Sequence, residues 1–148
     1  MSFDPVESIY CATSKARTMS DVKICVERFT ALAQHTHYIC EFLPADKTAL
    51  RALALHNYSD IWIERAARFP DTWYWHDPVF SHLRSNPVPI AWTRHTYEKS
   101  EVLEVWEESS ALGIGAGFAA SVSCGHGVTL RIGISRDETQ GELSADAA

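Results

Sequence analysis

Residues 98–135, EKSEVLEVWEESSALGIGAGFAASVSCGHGVTLRIGIS, decide the fold class. Val102, Leu103, Val105, Trp106 and Leu112 recur at helical spacing, and Gly113 stands where a helix stops on a left-handed residue. Beyond Gly113 the period drops to two. Val128, Leu130, Ile132 and Ile134 alternate with Thr129, Arg131, Gly133 and Ser135. GFAASVSC (117–124) and VTLRIGIS (128–135) therefore predict two antiparallel strands joined through Gly-His-Gly. GIGAGF has the spacing of a dinucleotide-binding turn, but that motif needs a strand before it and a helix after it. Here the helix comes first, so the glycines mark a helix stop and a turn.

The segments upstream follow the same grammar. Val22, Cys25, Val26, Phe29, Leu32 and Ala33 lie at helical spacing, with Ser20 as the predicted N-cap. HYICEFLPADKTALRALALHNY (37–58) predicts two strands around a polar turn at Pro44–Lys47. SDIWIERAARF (59–69) predicts a helix capped by Ser59 and ended by Pro70. Helices and hairpins alternate without a strand–helix–strand rhythm, so the class is α+β, with helices packed on an antiparallel sheet. Residues 1–19 are expected to form a loose leader that can hold a short helix, and 137–148 a polar tail. Residues 70–96 read as a long apolar connection in which Pro78, Pro87 and Pro89 forbid continuous regular structure.

Composition excludes several roles. A formal charge of −6 and a pI near 5.6, with no Lys/Arg cluster, argue against a nucleic-acid surface. The uncharged window from Ala111 to Leu130 carries five glycines, so a membrane-spanning helix is not expected. The first residues, MSFDPVESIY, lack a secretory signature, and four scattered cysteines without a CxxC fit reduced thiols in the cytoplasm. No nucleophile–base pair stands out, and the His35/His37 and His76/His82 pairs lack further ligands at metal-site spacing, so neither catalysis nor a metal is expected.

The aromatics are concentrated. Nine of the sixteen Phe, Trp and Tyr residues fall between Tyr58 and Tyr97, around one acid, Asp77, in the stretch HDPVFSHLRSNPVPIAW (76–92). Tyr and Trp combine a large apolar face with a hydrogen-bond donor, which suits a greasy pocket that must orient a polar group. A core that merely uses aromatics explains the cluster about equally well from the residues alone.

The ordered series EFLPADKT, HNYSDIW, DPV at Asp77–Val79, Pro-Ile-x-Trp ending on Trp92, EVWEESSALGIGAGF and a final GIS strand is fairly specific. It resembles the autoinducer-binding domain of LuxR-type quorum-sensing regulators, and it spans most of residues 20–136. The resemblance implies an α/β/α sandwich, with a central antiparallel sheet of about five strands and helices on both faces. It implies an N-acyl-homoserine lactone as ligand and no cofactor. Asp77 would accept the ligand amide N–H, Tyr58 would donate to the acyl carbonyl, and Trp62 to the lactone carbonyl. Trp92 would pack on the ring, while Tyr97, Val105 and Leu112 line the headgroup or acyl region. Val79 and Gly133 would face the ligand at places where the family often carries a hydroxyl. The partners implied are the lactone and a homodimer mate or a LuxR-type regulator in a heterodimer. Because the helix-turn-helix domain is missing from this sequence, no direct DNA binding is expected. Two rival roles remain at this stage: a truncated homologue that pairs with and blocks a full-length regulator, and a lactone- or amide-processing enzyme.

Overall fold

The computed structural model describes residues 4–43, 52–69 and 71–138. The predicted turn at Pro44–Lys47, the helix stop at Pro70 and most of the tail lie outside them. Seven helices and five strands follow in order: α1 (Pro5–Lys15), α2 (Met19–Leu32), β1 (His37–Leu43), β2 (Ala52–His56), α3 (Asp60–Ala66), α4 (Asp71–His76), α5 (Pro78–Ser85), β3 (Ile90–Trp92), α6 (Arg94–Tyr97), α7 (Leu103–Ala111), β4 (Ala116–Gly125) and β5 (Val128–Arg136). The strands form one sheet in the order β2-β1-β5-β4-β3, with every neighbouring pair antiparallel. This is the α+β sandwich the sequence predicts.

Pairing of β1 with β5 sets the two faces. Ile39 opposes Gly133 and Glu41 opposes Arg131, so these four share one side. Tyr38 and Cys40 oppose Ile134 and Ile132 on the other, where the Tyr38 hydroxyl donates to Glu27 Oε1 of α2 at 3.1 Å. Helix α2, with α1 packed against it, therefore covers one face, and the segment from α3 to α7 covers the other. The strand β1 is buried on both sides.

Two sequence expectations are corrected: the cap of α2 and the irregular reading of the Pro-rich connection. The leader holds a full helix, α1, because Asp4 accepts from the N–H groups of Val6 and Glu7 and Pro5 opens the first turn. Helix α2 is capped by Thr18 rather than Ser20, since Thr18 and Asp21 exchange reciprocal bonds in a capping box. Its apolar stripe is only partly inward: Cys25 is buried, but Phe29 is 47% exposed and Leu32 41%. The connection 70–96 is mostly regular, carrying α4, α5, β3 and α6. Pro78 starts α5 instead of breaking it, because a proline in the first helical turn gives up an N–H that had no partner anyway.

Two glycines are required by geometry. Gly113 has φ +86° and ends the last turn of α7, as its position predicted. Gly117 is needed for close approach: a Cβ there would lie 2.1 Å from the Ile134 carbonyl oxygen and 3.0 Å from Trp92 Cζ2. Gly117→Ala must push β4 from β5 or Trp92 from the sheet. Overpacking of this kind costs about 3 kcal/mol, so thermal unfolding should shift down by roughly 6–12 °C.

Candidate functional site

Between the sheet and the α3–α7 layer lies a cavity of about 360 Å³. Its volume falls within the range of small-ligand sites. Each wall follows from a local sequence rule. Ser59 Oγ accepts from the Trp62 N–H at 3.2 Å and starts α3. That start holds Tyr58 and Trp62 edge to face, with ring centroids 4.7 Å apart. The Trp62 indole then donates to Ser109 Oγ of α7 at 3.1 Å, and the Tyr58 hydroxyl lies 3.4 Å from Ser135 Oγ of β5.

Asp77 is the N-cap of α5. Its Oδ1 accepts from the N–H groups of Val79 and Phe80 at 2.8 and 3.3 Å. The Tyr97 hydroxyl reaches Oδ1 at 3.1 Å and Oδ2 at 3.2 Å. Three donors thus converge on Oδ1, while Oδ2 faces one and keeps acceptor capacity for another. Burial pushes the Asp77 carboxyl above its ordinary 3.8, against the opposing pull of the Val79 and Phe80 N–H groups, Arg131 and Tyr97. The Tyr97 hydroxyl is pushed well up, by burial first and by the Asp77 charge second. Trp92 stands edge-on to Tyr97, their centroids 6.1 Å apart, and the Trp106 indole donates to the Gly115 carbonyl at 3.0 Å.

Seven of the nine residues named from the sequence line this one cavity: Tyr58, Trp62, Asp77, Val79, Trp92, Tyr97 and Val105. Leu112 and Gly133 do not. Leu112 is the C-cap of α7, one residue beyond its last turn, and Gly133 has no side chain to present.

Sequence reasoning missed the charged floor. Arg131 donates to Glu41 across the β5–β1 pair, and both side chains line the cavity while being 12% and 5% exposed. Burial works against the Arg131 charge, but Glu41, Tyr58 and Asp77 outweigh it, so its pKa lies above the ordinary arginine value. The Arg131 guanidinium also sits 4.5 Å from the centre of the Phe80 ring. Ser109 and Trp106 were missed as well, although both lie on the helix whose apolar period was legible.

A helical layer closed over an antiparallel sheet encloses an aromatic cavity lined by two carboxylates, Asp77 and Glu41, and one guanidinium, the make-up of a small-ligand site. The sequence profile of the autoinducer binding domain matches residues 18–145. The chain belongs to the autoinducer-binding domain family of LuxR-type regulators. No curated protein gives a significant sequence match. Among solved structures it is similar to CepR2 of Burkholderia cenocepacia, an N-acylhomoserine-lactone-dependent LuxR-family factor, at TM-score 0.77 and 17% identity, covering 97% of this chain and 82% of that one. It is similar to SdiA in complex with octanoyl-rac-glycerol, at TM-score 0.75 and 14% identity, covering 99% of this chain but only 61% of that one. The ligand-binding domain of VqsR from Pseudomonas aeruginosa shares the fold at TM-score 0.60 and 11% identity, covering 97% of this chain and 82% of that one. Among the described residues no helix is long and apolar enough to cross a membrane.

Proposed function

We propose that this chain senses an N-acyl-homoserine lactone, or a close acyl-lactone analogue, in the aromatic cavity. The observation that carries this reading is the convergence of Asp77, Tyr58 and Trp62 on one cavity, each presenting the polar group the ligand needs. Asp77 Oδ2 would accept the amide N–H in a charge-assisted bond. Tyr58 would donate to the acyl carbonyl. A lactone carbonyl between Trp62 and Ser109 would accept from the indole N–H and the hydroxyl, with Trp92 against the ring. Ligand burial would stabilise only the folded chain, by about 2.7 kcal/mol at a hundredfold excess over Kd. A thermal-shift panel of homoserine lactones of graded chain length, with octanoylglycerol alongside, tests the reading. A rise of roughly 5–10 °C is expected with at least one lactone; no shift with any lactone would sink it.

The same carboxylate gives a pH signature. Because its folded pKa is raised, Asp77 contributes stability that is fully present below 3.8 and is lost as pH rises through the folded value. An amide N–H favours the ionised form, so lactone-induced stabilisation should grow over that same window. Melting curves with and without lactone, taken from acid to neutral pH, should therefore converge at the acid end. A lactone shift that is constant or shrinks with rising pH would remove Asp77 as the anchor.

A second reading, pairing with a LuxR-type regulator, is favoured by the apolar side chains left on the outer helices. Val6 is 64% exposed, Tyr10 74% and Met19 57%. Co-expression with a regulator that carries a helix-turn-helix domain should yield a complex. Separate elution of the two chains removes this role.

A further inference from the structure

We infer that Arg131 and Glu41 form a specificity element that selects an acyl group carrying an oxygen close to its carbonyl, over a plain alkyl chain. This rests on the lactone-sensing reading and deepens it.

The strand β5 presents Ser135, Gly133 and Arg131 to the cavity side in steps of two residues, each about 7 Å. Ser135 lies under the Tyr58 hydroxyl, where the acyl carbonyl would bind. One step along, the guanidinium of Arg131 folds back over Gly133. A Cβ built at Gly133 would meet Arg131 Nη2 at 3.2 Å. The glycine leaves room for the arginine, and it places the charge beside the first carbons of the chain rather than at its far end.

The guanidinium has donors to spare. Of the five N–H groups, Nη1 is directed to Glu41, and Nε is buried with no partner. An alkyl chain laid along this wall would exclude water from a charged group without replacing its hydrogen bonds, which lowers affinity. A 3-oxo group would accept from Arg131. A 3-hydroxyl could also donate to Glu41. A site that buries donors for a ligand oxygen discriminates against the analogue lacking it far better than an apolar pocket discriminates by size.

The test uses the full chain and three lactones of equal length: octanoyl, 3-oxooctanoyl and 3-hydroxyoctanoyl homoserine lactone, titrated calorimetrically. The oxygenated pair should bind about 10- to 100-fold tighter than the octanoyl compound, the span of one hydrogen bond to a charged group. In the double variant Glu41→Leu with Arg131→Met the preference should vanish or reverse. Equal affinities in the parent chain, or a preference that survives in the double variant, overturns the inference and leaves lactone sensing standing. Binding of none of the three to the parent chain removes the lactone reading and this inference with it. If the double variant does not fold, Arg131→Lys replaces it: the charge stays, the forked donors are lost, and the preference should fall toward unity.

Discussion

Asp77→Asn is expected to melt at or slightly above the parent chain's temperature at neutral pH, and to show no stabilisation by homoserine lactone. The two halves of this result come from the two oxygens of one side chain. Oδ1 caps α5, and asparagine caps a helix about as well as aspartate, so its amide oxygen can keep the Val79 and Phe80 bonds. The amide nitrogen then takes the place of Oδ2, where it can donate to the Tyr97 oxygen. The buried negative charge is gone, and with it the burial penalty that raises the carboxyl pKa. The folded chain alone therefore loses nothing. The ligand loses its anchor, because an N–H donor now faces the amide N–H, and two donors pointed together repel where a charge-assisted bond would have formed. Asp77→Ala separates the roles from the other side. It should lose the cap, at about 1 kcal/mol, and strand the Tyr97 hydroxyl, at about 1–3 kcal/mol more. A lactone shift of parental size in Asp77→Asn, measured with saturating ligand, would make Asp77 a structural cap and nothing else.

The helix cap at Asp77 marks where the sequence is legible and where it is not. The place of Asp77 beside a cluster of aromatics was legible, and it took the family resemblance to bring Tyr58, Trp62 and Trp92 to one cavity, where the structure has them. The cap was not legible. Asp-Pro-Val is a helix-start signal, with an N-cap acid followed by proline in the first turn. Three prolines in twelve residues drew the reading toward an irregular wall instead. Thr18 was passed over for Ser20 for a related reason: the capping box depends on Asp21 turning back, a side-chain choice that spacing alone does not reveal. Phe29 and Leu32 share the helical spacing of Cys25 and yet face outward, because periodicity identifies a stripe but not what lies against it.

The charged floor was hidden by a general rule that fails at this site. An alternating strand in an antiparallel sheet normally turns its apolar set inward and its polar set to water. By that rule Thr129, Arg131, Gly133 and Ser135 belong outside. In the fold both faces are covered: Arg131 of the polar set lines the cavity, while Ile134 is buried on the opposite face, the side of α2. Glu41 and Arg131 stand 90 residues apart and meet only because β1 and β5 are neighbours in the sheet. The hairpins were legible one at a time. The order that joins them was not, and the pair exists only in that order.

Arg131→Met alone is expected to be severely destabilising, and Glu41→Leu together with Arg131→Met nearly neutral. The single change leaves Glu41 in a floor where its side chain is 5% exposed, with its guanidinium partner gone. Breaking one half of a buried pair costs about 3–5 kcal/mol, a drop in Tm of roughly 6–20 °C for a chain of this size. Removing both halves replaces two desolvated charges with apolar side chains of similar reach, and the Phe80 ring that packs on the guanidinium accepts a thioether chain in its place. Such replacements are often neutral or stabilising by about 1–4 kcal/mol. A double-mutant cycle on thermal unfolding should thus give a coupling close to the whole single-variant loss. Additive losses in the cycle would mean that the pair supports the fold through other neighbours. A large coupling would leave stability unable to account for two charges in this cavity. If the pair can be removed together without loss of fold, ligand selection, as proposed for this cavity, is the property its removal should abolish.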